Sequence, residues 1–223
     1  LSNVFPEYRK ASDDYERILK QRNQLWLEIQ SGKRGVLEID VWDDQLVEFG
    51  SSLTGYRANL FSYMNKHIDE HLVQFSEELT GSRFFYQISG NASKEEFKRT
   101  LRRAREREQE LGTTIIGPHR DDFEVRFDSK NVVGFVSRGQ LRSITLAMKV
   151  VERQYIYDIL RLSPVFLLDD IFSELDAAHQ KKILEFFERE DQIFITTTHL
   201  SEIRENLPKD ASIFTIEAGR VII

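Results

Sequence analysis

The sequence runs to 223 residues, 40% of them hydrophobic and 30% charged, the balance of a soluble globular chain that forms one large domain or two small ones. A net charge of −6 argues against a uniformly basic nucleic-acid surface and leaves room for a local basic patch. No apolar run approaches the length of a membrane span, and the lack of cysteine excludes a disulfide framework and thiolate metal sites and fits a reducing cytoplasm. The opening Leu1-Ser2-Asn3-Val4-Phe5-Pro6 has neither the charged leader nor the apolar segment of a signal peptide. A start without Met, in mid-phrase, predicts a fragment of a longer protein.

From Pro6 to Gln30 the residues Tyr8, Tyr15, Ile18, Leu19, Leu25, Trp26 and Ile29 recur at helical spacing, and Ser31-Gly32-Lys33-Arg34-Gly35 ends the pattern. A longer rhythm follows through Trp42, Leu46, Phe49, Leu53, Tyr56, Leu60 and Tyr63, and on through Ile68, Leu72, Phe75 and Leu79. Unbroken from Asp43 to Thr80, this helix would be about 57 Å long at 1.5 Å per residue. Gly50 and Gly55 weaken it and predict a kink near Ser51. The seam packs either on another helix of the same lobe or under a partner. Arg83 to Ile88, aromatic-rich between Gly81 and Gly90, reads as a short strand.

Ser93-Lys94-Glu95-Glu96 has the spacing of a capping box and opens a helix that Gly112 stops. Its outer face mixes acids with Arg99, Arg102, Arg103 and Arg105, which is either a solvated, salt-bridged surface or a phosphate contact built on guanidinium forks. Thr113 to Ile116 is β-prone, Gly117-Pro118-His119-Arg120-Asp121-Asp122 is a polar turn, and Phe123, Val125 and Phe127 alternate as a half-exposed strand. Val132 to Val136 reads as its returning partner after the turn Asp128-Ser129-Lys130-Asn131. A helix from about Gln140 to Leu160 precedes the apolar strand Val165-Phe166-Leu167-Leu168, which reads as buried on both faces. A helix over Ala177 to Arg189, a second strand from Gln192 to Thr198 and a terminal hairpin around Gly219 complete an α/β layer from about residue 113 onwards.

Three features carry chemistry. Asp169-Asp170 ends the apolar strand, where α/β sheets place their sites; one acid holds Mg²⁺ and the other polarises a water, or the pair is a plain Asp-rich turn. Ser137-Arg138-Gly139-Gln140 stands between a strand and a helix start, as an anion site or simply as a helix cap. His199 ends the next strand, and parallel pairing would bring it to the same sheet edge as the acids; alone, it also fits a structural role. The order of the three is more specific than any one of them.

That order resembles ABC-type ATPases: Ser137 to Gln140 the signature motif, Val165 to Asp170 the Walker B strand, Ser173-Glu174-Leu175-Asp176 the D-loop, and His199 the switch histidine. Within the class, the chain is similar to the bacterial RecF family of recombination-repair proteins at Gly117 to Asp122, Ser137 to Arg142 and Leu167 to Asp176, and the opening Tyr15 to Asn23 resembles that family's helical lobe. The resemblance implies an α/β, ABC-ATPase-type (P-loop NTPase) sheet layer, incomplete here, with a mostly helical inserted lobe over 1–112 and the ATPase-lobe elements over 113–223. It implies ATP and Mg²⁺ as cofactors, with Asp169 on the metal, Asp170 orienting the hydrolytic water and His199 sensing the γ-phosphate. Ser137, Gly139 and Gln140 would act in trans on ATP held by a second subunit, and Asp176 would line the dimer interface.

The implied function is an ATP-dependent homodimer on double-stranded DNA near single-strand gaps, with RecR and RecO as partners and recombinase loading as the outcome. Arg138 stands where transporter ATPases prefer Gly, and Asp170 replaces the commoner Glu, a shorter reach suited to slow hydrolysis. No Gly-x-x-x-x-Gly-Lys-Ser/Thr string occurs, so the chain reads as the C-terminal portion of such a protein, inactive alone. Two other readings are a non-catalytic module binding DNA or RecR, and the head of another SMC-like ATPase, ranked last because the stretch before Gly112 is too short for a coiled-coil arm.

Overall fold

A computed structural model describes residues 1–170, 172, 177–186 and 192–222. It divides into two compact units, Leu1–Arg161 and Leu162–Ile223. The expected boundary at Gly112 falls inside the first unit, because the strand after it pairs with the strand before it and a later helix packs along the long one.

Helix α1 (Pro6–Gln30) starts on Pro6, whose missing N–H is harmless in a first turn, and buries Tyr8, Ala11, Tyr15, Ile18, Leu25, Trp26 and Ile29 along one stripe. Helix α2 (Ile39–Ser76) is a single helix of 38 residues. It has no break at Ser51, contrary to the expected kink. Gly50 has a packing reason instead: a Cβ there would come within 2.6 Å of the Phe97 ring. Strand β1 (Arg83–Gln87) follows, then helix α3 (Lys94–Leu111), which opens on the Ser93 hydroxyl accepting from Glu96 N and closes on Gly112 at φ 68°.

A buried charge network ties these helices. Arg22, fully buried, donates to Asp43 of α2 at 2.9 Å, to Glu108 of α3 at 2.6 Å and to Thr114 at 2.7 Å. Arg105 adds bonds of 2.6 Å to Asp43 and to Asp40, and it holds the Asp40 carboxyl below the usual carboxylate range. The same network explains why Thr113 to Ile116 forms no strand. Side chains take the backbone donors, Asn23 at Thr114 N (2.8 Å) and Glu108 at Ile115 N (2.9 Å).

Strand β2 (Asp122–Phe127) pairs antiparallel with β1, Phe84 facing Val125 and Tyr86 facing Phe123. Phe61 of α2 packs on Phe84, Tyr86 and Phe123. Asn65 occupies the free edge of β1 with both ends of its amide, bonding Phe84 N at 2.7 Å and Phe84 O at 2.9 Å. Strand β3 covers only Lys130–Asn131. The expected strand Val132 to Val136 is a turn instead: Gly134 has φ 81°, and Phe135 N and Val136 N both bond Val132 O. Helix α4 (Arg138–Leu160) then packs along α2.

In the second unit, strand β4 (Phe166–Asp169) pairs parallel with β5 (Ile193–Thr196), the two flanking helix α5 (Ala177–Phe186) in the chain. Helix α6 (Leu200–Ile203) and the hairpin β6 (Thr215–Glu217) with β7 (Arg220–Ile222) follow; the hairpin turns on Ala218 and Gly219 at positive φ, as a tight primed turn requires. The expectation that β4 is buried on both faces does not hold in this chain. Phe166, Leu168, Ile193 and Ile195 are half-buried, whereas the neighbours Leu167 and Phe194 are 75% and 54% exposed. An apolar run records the capacity for two-sided cover, and here no described element supplies the second layer.

Candidate functional site

The parallel register sets the geometry of the acid pair. Asp169 lies opposite Thr196, so the C-terminal ends of β4 and β5 share one sheet edge, with Asp170 and His199 both beyond it. Thr196 Oγ1 donates to Asp169 Oδ1 at 2.5 Å and accepts from Asp170 N at 3.1 Å. Asp170 N also reaches the Thr196 carbonyl at 3.2 Å, which holds Asp170 at φ 47° as the chain leaves the sheet. His199 N bonds the Thr197 hydroxyl at 3.1 Å, a short local turn that sets the backbone under the imidazole. Asp169, Asp170 and His199 are all exposed.

The donor set fits Mg²⁺ held through a nucleotide. Among the described residues no cluster of three or more His, Cys, Asp or Glu could hold a metal unaided. A single exposed carboxylate is instead what Mg²⁺ takes when phosphates and waters complete its shell.

Ser137, Gly139 and Gln140 lie in the first unit, at the N-terminus of α4. They form a full capping box: Ser137 Oγ accepts from Gln140 N at 3.2 Å, and Gln140 Oε1 accepts from Ser137 N at 2.8 Å. The other end of the Gln140 amide donates to Glu78 at 2.5 Å. Among the described residues no acceptor takes the Ser137 hydroxyl proton. Among the described residues, a Cβ at Gly139 would meet only Ser137 Oγ, at an ordinary van der Waals distance of 3.9 Å. Asp176, with Ser173, Glu174 and Leu175, lies outside the described residues.

The arginines of α3 divide by use. Arg105 is committed to Asp40 and Asp43, and Arg99 pairs with Glu96 at 3.0 Å. Arg102 and Arg103 are exposed and, among the described residues, form no ion pair or hydrogen bond, Arg102 acting on Asp40 only through its field.

Sequence reasoning missed Thr196, because its contact with the acids follows from strand register and not from any motif. It also left Gly117 to Asp122 without partners. There Arg57 bonds Pro118 O at 2.6 Å and Asp121 at 3.2 Å, Tyr86 donates to Asp121, Ser89 N reaches Asp121 at 2.8 Å, and the Tyr15 hydroxyl meets His119 Nδ1 at 2.7 Å.

No family model matches the chain. Among curated proteins it is 37% identical over 215 residues to the DNA replication and repair protein RecF of Moorella thermoacetica, covering 96% of this chain and 57% of that one. It is 34% identical over 228 residues to the same-named protein of Streptococcus pneumoniae, covering 100% and 61%. The chain belongs to the RecF family. It spans about three fifths of the length of these relatives. Solved structures of the recombination mediator RecF, in the ATPrS and ATP forms of the RecFOR pathway, superpose with TM-scores of 0.82 and 0.80 at 23% identity, each covering 98% of this chain and 59% of the other. The fold is therefore the α/β ABC-ATPase type, mostly helical and with small, incomplete sheets.

Proposed function

We propose that this chain is part of an ATP-dependent DNA-binding factor of replication, recombination and repair, acting with RecR and RecO. In this reading ATP and Mg²⁺ draw two copies together on double-stranded DNA beside a single-strand gap, hydrolysis releases them, and the bound state helps load recombinase. The observation that carries it is the acid pair at the end of β4, exposed and clasped from the neighbouring parallel strand. The relatives' repair names support the pathway, and the RecFOR context of the structural neighbours supports the partners.

Asp169 holds the metal, Asp170 orients water, and His199 senses the γ-phosphate. When bound, Mg²⁺ neutralises charge on the phosphate oxygens. Ser137, Gly139 and Gln140 meet the ATP of the other subunit through a hydroxyl and free helix amides, and Asp176 lines the contact between subunits. By role, residues 1–112 serve as the helical lobe and 113–223 supply the ATPase-lobe motifs, a division that does not follow the two compact units. The phosphate cradle of a Gly-x-x-x-x-Gly-Lys-Ser/Thr loop is absent from these 223 residues, so the chain by itself is inactive.

Steady-state ATP hydrolysis on duplex DNA tests this. In the full-length protein Asp170→Asn should lower turnover by about 10²-fold or more while ATP still binds. The 223 residues alone should be silent. Normal hydrolysis by Asp170→Asn defeats the site assignment, and activity from the 223 residues that the same substitution abolishes defeats the claim of dependence on a separate cradle.

A further inference from the structure

We infer that Thr196 is a positioning residue for the acid pair, its hydroxyl fixing the Asp169 carboxylate and the Asp170 backbone at the angle from which the metal is held. The inference rests on the nucleotide-site reading above and adds to it a residue outside every motif.

A threonine hydroxyl has one proton to give and lone pairs to receive with. Here the proton goes to Asp169 Oδ1 at 2.5 Å and a lone pair takes Asp170 N–H at 3.1 Å, so both capacities are aimed at the two acids. One carboxylate oxygen is pinned by the bond, which leaves Oδ2 to face an ion or its water shell. The same N–H is shared with the Thr196 carbonyl at 3.2 Å, and the two acceptors together hold the left-handed turn at Asp170, a conformation that a residue with a Cβ adopts only when its surroundings keep it there.

Burial does not demand these bonds, because Thr196, Asp169 and Asp170 are all exposed and water would satisfy each group. Strand preference does not demand a hydroxyl either, since valine has the same shape and suits a strand equally well. A purely structural role and a positioning role therefore predict different outcomes for Thr196→Val. Hydrogen-bond partners of metal-ligating carboxylates typically alter metal affinity or activity by about 10–100-fold when removed.

The test uses the full-length protein with a non-hydrolysable ATP analogue and Mn²⁺ as the spectroscopic stand-in for Mg²⁺. Thr196→Val should raise the Mn²⁺ Kd read by electron paramagnetic resonance, and the Mg²⁺ concentration for half-maximal ATPase, by about 10-fold or more, with the thermal midpoint unchanged. Thr196→Ser, which keeps the hydroxyl, should restore both values. If Thr196→Val disturbs folding, Thr196→Ala against Thr196→Ser makes the same comparison. Unchanged metal dependence in the hydroxyl-free variants, beside a clear shift in Asp169→Asn, overturns the inference and spares the site. No shift in Asp169→Asn overturns the site reading, and the role of Thr196 falls with it.

Discussion

His119 shows how much a single side chain is asked to do in this fold. Its Nε2–H donates to the Thr114 carbonyl at 3.2 Å, so in the neutral ring Nδ1 is left to accept from the Tyr15 hydroxyl. Gly117, just before it, has φ 138°, and a Cβ there would collide with that same hydroxyl. Partial burial lowers the His119 pKa from its ordinary 6.5, while the nearby Thr114 carbonyl opposes the shift. The unfolded chain therefore takes up a proton more readily than the native one. The stability contributed is complete above about pH 6.5 and declines as the pH falls towards the folded pKa, with the slope of a single proton. Urea unfolding of His119→Gln against the parent between pH 7 and pH 5 should show the variant less dependent on pH. Parallel curves would remove His119 as the source. The Gly-Pro-His-Arg-Asp-Asp string is visible as a turn in the sequence. Its partner Tyr15 lies 104 residues away, and no local pattern could have named it.

Helix α4 poses its question at the scale of an element, because one serine serves both as its cap and as the proposed phosphate ligand. Cap and ligand separate by charge. Ser137→Asp retains a strong N-cap and a favourable helix dipole, so stability should hold within a few tenths of a kcal/mol, whereas Ser137→Ala should cost about 1 kcal/mol. An added carboxylate repels a terminal phosphate, so Ser137→Asp should abolish ATP-driven self-association in the full-length protein, as read by analytical ultracentrifugation. A Ser137→Asp protein that still self-associates with ATP would leave only the cap. Helices of this kind were the legible part of the chain. The pattern from Pro6 to Gln30 coincides with α1, and the long apolar rhythm coincides with α2 to within a few residues at each end. The strands were less legible because their fate was decided by side chains from elsewhere. Asn23 and Glu108 drew Thr113 to Ile116 out of strand geometry, and Gly134 turned the chain before Val132 to Val136 could pair. Asp169 and Asp170 were picked out by sequence, yet their clasp by Thr196 depended on a register that only the paired strands reveal.

At the scale of the whole molecule, a chain with a net charge of −6 could meet a polyanion only through a local surface. Most basic residues of α3 are already neutralised: Lys94 by Glu48 at 2.5 Å, Lys98 by Asp44, Arg99 by Glu96, and Arg105 by Asp40 and Asp43. Arg102 and Arg103 are exposed and, among the described residues, form no ion pair or hydrogen bond, although Arg102 adds to the positive field on Asp40; this narrows the expected four-arginine patch to these two. Replacing both with Ala should weaken duplex binding by the full-length protein at low salt. The slope of log K against log salt should become shallower by about 2, near one released counterion for each lost phosphate contact. Arg105→Ala should act differently, because it strips a partner from Asp43, whose side chain is fully buried, and lowers stability before it touches DNA affinity. Fluorescence anisotropy across a salt series, paired with urea unfolding of each variant, separates the two effects. A salt slope that survives the loss of both Arg102 and Arg103 in a stably folded protein would move the DNA contact off this helix altogether.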